Sequence, residues 1–261
     1  MRIPFLASAL TVLSLASAPL FAQSAGFTGD ISSKPPPPTK AGPTPRTSDG
    51  KPDLSGLWER PYVPDMTKDN KNKSQIGTPE LPFTEAGLKA WKSYDAANGD
   101  YTGSCLPFGL MRSMNSPDPI QIMQNPKYVA LLYEQNTWFH IIPVDKKHHE
   151  GATPTWFGDS VGHWDGDTFV VDSVNFNGRT RLDTIGHPHS DALHVIERFT
   201  RTDAMHIAYE VTVEDSKIFT KPWTNKRIFT LRTDWEIMEY SCEENNKDLY
   251  EGHIKPPPPP Q

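Results

Sequence analysis

The sequence predicts a mainly β protein, either an antiparallel barrel or a strongly bent sheet, with one short helix. Strand-like runs recur from Tyr128 to Cys242, joined by short hairpin turns, and with Leu57 they number about nine. Only Phe83 to Asn98 has helical periodicity, so no second helix is on hand to cross over between parallel strands. A two-sheet sandwich fits the same pattern, because alternation alone does not separate closure from stacking.

Taken in order, the chain opens with Arg2, an apolar run from Phe5 to Leu15 and small residues ending at Ala22. Residues 1–22 therefore read as a secretory signal, too short to span a bilayer comfortably, and no later run is apolar enough for a membrane span. The first cysteine is Cys105, which argues against a lipid-anchored start. Residues 23–53 carry Pro35 to Pro38, Pro43 and Pro45, and read as an extended, unstructured spacer; residues 251–261 end in Pro256 to Pro260 and read the same way. That leaves 54–250 as a single β-domain.

Within it, Leu57-Trp58 enters the first strand. Thr84 caps the one helix, Glu85 suits its first turn, Leu88, Trp91 and Tyr94 share a face, and Gly99 stops it. Residues 105–119 read as an irregular connector. Strands then follow at 128–134 and 137–143 around Gln135-Asn136, and two more cross the Asp165-Gly166 turn, a strong hairpin signal. Further hairpins pair 193–200 with 205–214, and 227–233 with 236–242, the last turning at Asp234-Trp235.

Formal net charge is −6, and Arg2 is the only charge in residues 1–22, so the remaining chain carries −7. No basic stripe accompanies that acidity, which excludes nucleic acid as a partner. Two cysteines, Cys105 and Cys242, in an oxidising compartment predict one disulfide between them.

Gly56-Leu57-Trp58 resembles the entry motif of lipocalins and related calycin barrels, where the tryptophan plugs the closed end. More broadly, Cys105-Leu106-Pro107, Ser160-Val161-Gly162, Trp164-Asp165-Gly166-Asp167-Thr168, Gly186-His187-Pro188-His189-Ser190, Glu197-Arg198-Phe199, Lys221-Pro222-Trp223 and Glu239-Tyr240 are similar to a large group of exported, β-rich proteins of environmental bacteria. The similarity covers most of the expected domain and implies a shared fold; it carries no activity with it.

Residues 156–200 concentrate the polar chemistry. His187-Pro188-His189, with Asp191 nearby, places two imidazoles and a carboxylate on a loop between strands. With His194 or Asp191 as third ligand, the histidines would form an open divalent-metal site, but nothing flexible after the pair lets His194 fold back, so no metal is expected. Hydrogen bonding to the loop backbone is the plain alternative for these groups. Glu197 shares a face with Leu193, Val195 and Phe199, where desolvation would raise its pKa toward acid–base use; an ion pair with Arg179, Arg181 or Arg198 is the alternative. Asp172 and Asn175, at a strand end, are candidate ligand contacts or turn formers, and Trp156, Arg179 and Trp223 candidate pocket walls or ordinary packing. His148-His149 reads as a solvated tip.

There is no Gly-x-Ser-x-Gly elbow, phosphate-cradling glycine loop, dinucleotide fingerprint or His-Glu-x-x-His. The expectation is an exported, cofactor-free enzyme, periplasmic or secreted, acting on a small apolar or aromatic molecule. Its chemistry would be acid–base, of lyase or isomerase type, through His187, His189, Asp191 and Glu197. The alternatives are a lipocalin-like carrier and a metal-dependent hydrolase built on His187 and His189.

Overall fold

A computed structural model describes residues 41–95, 100–244 and 246–252. The expected signal segment, most of the proline spacer, the end of the expected helix (96–99) and nearly all of the proline tail lie outside the described residues. Strands are β1 (Gly56–Glu59), β2 (Gln75–Ile76), β3 (Ile120–Gln124), β4 (Tyr128–Tyr133), β5 (Phe139–Pro143), β6 (Asp159–Asp165), β7 (Thr168–Val174), β8 (His194–Arg201), β9 (His206–Glu214) and β10 (Trp223–Leu231). Helices are α1 (Glu85–Lys92), α2 (Leu110–Asn115) and α3 (Lys247–Tyr250).

Nine strands form a nearly closed antiparallel barrel in the order β5-β4-β3-β1-β10-β9-β8-β7-β6, with the short β2 paired to β10. Strand direction can alternate around a complete ring only if the strand number is even, so an odd ring forces one parallel neighbour pair. Here it is β5 and β6, joined by the single parallel bridge Val144–Gly162, with Asp145 N–H donating to Gly162 O at 2.7 Å. A parallel step cannot be made by a tight turn, and residues 144–158 supply the crossover. Gly162 is needed at this seam because a Cβ there would lie 2.3 Å from the Phe169 ring.

Period-two alternation fills the barrel. On β8 the inward residues are Val195, Glu197, Phe199 and Arg201, on β9 Ile207, Tyr209, Val211 and Val213, and on β10 Trp223, Asn225, Arg227 and Phe229. Trp58 is fully buried, its indole N–H donating to Leu54 O at 2.9 Å and the Arg201 guanidinium lying 5.1 Å over its ring. Thr84 caps α1 by accepting the Gly87 N–H at 3.0 Å. Cys105 and Cys242 form the expected disulfide, with Cα atoms 5.6 Å apart.

The elements differ from expectation in several places, the first being that α1 ends at Lys92, capped at Ser93, before the expected stop at Gly99. The 105–119 connector contains α2, whose six residues are all buried. Residues 120–124 form β3, and β10 starts at Trp223 rather than 227. Residues 236–242 are not a strand: β10 is already paired on both sides by β9 and β1, so no edge is left there for them, and Ile237, Met238 and Tyr240 stay exposed. Residues 42–53, placed in the spacer, bond to the barrel, with Ala204 N–H donating to Gly42 O at 2.9 Å and Arg46 forking onto Asp167 at 2.9 and 2.6 Å.

Candidate functional site

The interior of the barrel carries charge. Alternation on β8 turns Glu197 inward with no exposure, and the Tyr209 hydroxyl donates to its Oε1 at 2.8 Å. The other oxygen, Oε2, is buried without a partner in the protein. Burial pushes the Glu197 carboxyl up to about 7, opposed by the Tyr209 hydrogen bond and the nearby Arg227. Arg227, directly opposite Tyr209 in the β9–β10 register, lies 5.3 Å over its ring. Burial lowers the pKa of Arg227, while Tyr209, Glu197 and Asp183 act to raise it, so this one cation sits in the field of two buried carboxylates.

Arg227 also fixes α2. Its Nη1 donates to Met114 O at 2.9 Å, while Arg60 Nη1 donates to Ser113 O at 2.8 Å. A helix end leaves its last carbonyls without intrahelical donors, and two buried guanidinium groups answer that need here. Arg60 lies 5.7 Å from the Tyr133 ring, and burial brings its pKa down to about 10. The apolar interior lined by Leu54, Ile122, Val129, Leu131, Ile142, Phe169 and Phe199 has no room even for a water molecule. Pockets for drug-sized ligands run to roughly 300–1,000 Å³, so as it stands the barrel is a packed core rather than an open cavity.

The other buried carboxylate, Asp183, orients His187; both are fully buried. Asp183 accepts from Met66 N–H at 2.9 Å and His187 N–H at 3.1 Å, and its Oδ2 is 2.6 Å from His187 Nδ1. With the carboxylate as acceptor, Nδ1 is the donor, and Nε2 is buried without a protein partner. The imidazole lies 4.8 Å from Trp91 and 6.1 Å from Phe83, so α1 and its cap cover it. Gly186 makes the loop possible: it has φ +88°, and a Cβ would fall 1.8 Å from the Tyr94 ring. Asp65, Asp183 and His187 also form a group with ligand atoms within 4.8 Å of one another, although the Asp183 oxygens are already engaged by three donors.

Of the residues expected to carry chemistry, His187 is held by Asp183 and Glu197 by Tyr209, and Arg227 lies in the field of both carboxylates. The remaining two are placed elsewhere. His189 is buried between the Thr180 hydroxyl, 2.5 Å from Nε2, and Ser190 O, 2.9 Å from Nδ1; burial lowers its pKa. Asp191 is exposed and paired with Lys217 at 2.6 Å. The histidines do not gather as a metal triad, since His194 lies between Asp172 and Glu214. None of the arginines considered for Glu197 reaches it in a hydrogen bond; Arg198 points outward to Asp165 at 2.8 Å. Trp156 and Arg179 do meet, with the guanidinium 4.7 Å over the indole. Asp172 is on the outer wall between His148 and His194. Asn175 adopts φ 61° and donates to Ala152 O at 2.9 Å, as a turn former, and Trp223 is a core side chain packed edge-on against Phe219.

Tyr209 and Arg227 were missed by sequence reasoning, and Asp183, part of the polar loop between strands, was given no role of its own. The first two had a signal: a tyrosine and an arginine on the inward face of otherwise apolar strands. A second buried polar chain, His140 Nε2 to Ser160 Oγ at 2.8 Å and on to Ser173 Oγ at 2.6 Å, had the same one. No protein-family model matches this chain, and no curated protein matches it in sequence.

Proposed function

We propose that the barrel interior around Glu197 is the reactive centre of an exported enzyme that moves a proton on a small apolar or aromatic molecule, by lyase- or isomerase-type chemistry. One observation carries this reading: a fully buried carboxyl, brought to about 7, with one oxygen held by Tyr209 and the other uncommitted. A general acid or base works best with a pKa near the operating pH, and Glu197 meets that condition by burial alone. Tyr209 and Arg227 stand where they can stabilise charge that develops beside it. The apolar walls, Phe199 and Phe229 among them, suit an apolar substrate. Because the interior is packed as it stands, this reading requires a substrate to open space beside α2, whose carbonyls Arg227 and Arg60 hold. Export rests on the N-terminal signal together with the disulfide.

The barrel fold is equally that of a small-molecule carrier, and the two readings part in one experiment. Phenolic and terpenoid compounds are screened for both binding and turnover with wild type, Glu197→Gln and His187→Ala. Turnover by wild type that falls at least 100-fold in Glu197→Gln, with binding retained, is the expected result. Equal turnover by wild type and Glu197→Gln overturns the reading, and binding without turnover by any of the three makes the protein a carrier.

A further inference from the structure

Large apolar side chains left in contact with water are concentrated on one wall of the barrel, the outer face of β3, β4 and β5. The alternation that buries Ile122, Val129, Leu131 and Ile142 turns Met123, Tyr128, Phe139 and Ile141 outward, each between 44% and 65% exposed. The register makes them contiguous. Ala130 is paired with Met123 on one side and Ile141 on the other, and Phe139 and Tyr128 lie in the next outward rows on either side. Segment 236–242, which joins no strand, extends the patch at one end. Its Met238 N–H donates to Glu134 Oε2 at 2.9 Å, and Tyr240 lines a recess together with Trp138 and Phe139. The outer faces of β8, β9 and β10 are of a different kind, carrying Arg198, Thr200, Glu210, Thr212, Lys226 and Thr230.

Charge is sorted along this face. Where β4 begins and β5 finishes stand Lys127, Lys146 and Lys147, all exposed and outnumbering Asp145. At the other end Glu239 and Glu243 line the recess beside Phe139, and both are exposed. Among the described residues, none of these three lysines and neither glutamate has an ion-pair partner.

We propose that this wall is the contact face of a homodimer, with a second copy of the chain as its occupant. Large apolar side chains gathered on one wall of an otherwise polar exterior mark a contact surface, and an apolar centre between charged rims is how protein–protein interfaces are built. The sorting of charge selects the partner. Two identical faces meet about a two-fold axis that lies in the plane between them. An axis running across the strands reverses strand direction, so the lysine end of each copy meets the glutamate end of the other, and the contact is made twice. An axis running along the strands sets like charge against like, which interfaces avoid. In the first arrangement the apolar centre is covered by its own counterpart, and charges without a partner inside one chain find one across the interface. An anionic lipid surface, by contrast, would attract one end of this face and repel the other.

The test is sedimentation equilibrium of the purified full chain at concentrations up to about 0.1 mM, where wild type should be dimeric. The Phe139→Arg, Ile141→Arg double variant should raise the dimer Kd at least about tenfold, while Ile228→Arg, at an exposed apolar position on β10, should leave it unchanged. Lys146→Glu with Lys147→Glu should weaken the dimer about tenfold, and so should Glu239→Lys with Glu243→Lys. All four together should restore it, because complementary ends face each other again. Circular dichroism verifies that each variant is folded. A monomeric wild type overturns the proposal, and flotation of that monomer with phosphatidylcholine vesicles would give the face to lipid instead. A dimer that survives Phe139→Arg, Ile141→Arg overturns it as well. Failure of the four-position variant to recover overturns the crossed arrangement of the two copies.

Discussion

Glu197 and His140 should tilt the pH dependence of stability in opposite directions, and separating them tests whether the polar interior is as dry as it looks. Burial raises Glu197 from 4.5 to about 7 and lowers His140 from 6.5 to about 4. A carboxyl with a raised folded pKa contributes stability that is present below 4.5 and lost as pH climbs through about 7. A histidine with a depressed folded pKa contributes stability that is present above 6.5 and lost as pH falls through about 4. Each pKa moves by about 2.5, and at ~1.36 kcal/mol per pH unit each group is worth about 3 kcal/mol over its window. In wild type the two slopes oppose each other between pH 4.5 and 6.5 and largely cancel. Urea unfolding of wild type, Glu197→Gln and His140→Asn from pH 4.5 to 7.5 separates them. Relative to wild type, Glu197→Gln should gain about 3 kcal/mol as pH rises, and His140→Asn should gain a comparable amount as pH falls. Three parallel stability curves would refute the reasoning, because they would mean that neither group is held out of water.

Reducing Cys105–Cys242, which joins residues 137 apart in sequence, releases chain entropy worth about 5 kcal/mol and should lower the Tm by on the order of 10 °C, measured by calorimetry with and without reductant. Asp183→Ala leaves the Met66 and His187 donors unsatisfied in a site with no exposure, and should cost about 3 kcal/mol or more in urea unfolding, with Asp183→Asn costing less. Gly186→Ala forces a side chain into φ +88° against the Tyr94 ring; a loss of at least ~1 kcal/mol is expected, and an unchanged melt would mean that the ring does not pack there.

The β-character of the fold was legible because alternation and turn chemistry are local. Asp165-Gly166 and Gln135-Asn136 mark hairpins without reference to the rest of the chain, and the inward position of Glu197 follows from Val195 and Phe199 flanking it at period two. Closure was not legible, because it depends on β10 meeting β1, a pairing between residues far apart in sequence. β3 was missed because Pro117 and Pro119 stand just before a run of five residues, and α2 because its six residues carry no amphipathic stripe: every face is buried. The same limit applied to the site. Glu197 was visible from its own strand, but its neighbours Tyr209 and Arg227 come from two other strands, and only the register brings them to it. His187 was singled out beside His189, yet the residue that matters to it, Asp183, stands four positions earlier, behind the turn at Gly186.

Stability alone gives little reason for such an interior. Replacing buried ionic groups by well-packed apolar ones is often neutral or stabilising by about 1–4 kcal/mol, so a barrel selected only to fold would gain by filling these positions with leucine and phenylalanine. Here Glu197, Arg227, Arg60, Tyr209 and Tyr133 share the space beside the end of α2, and Glu197 Oε2, Arg227 Nη2 and Arg60 Nε are buried there without protein partners. Each uncommitted polar atom costs about 1–3 kcal/mol. A cost of that kind is characteristic of places where polar groups are held ready for something other than the fold. The outer-wall histidines have no such cost, since water reaches them, and their carboxylate partners lie on β6, β7 and β9. The barrel therefore keeps in its interior a carboxyl that holds its proton up to near-neutral pH because water is excluded.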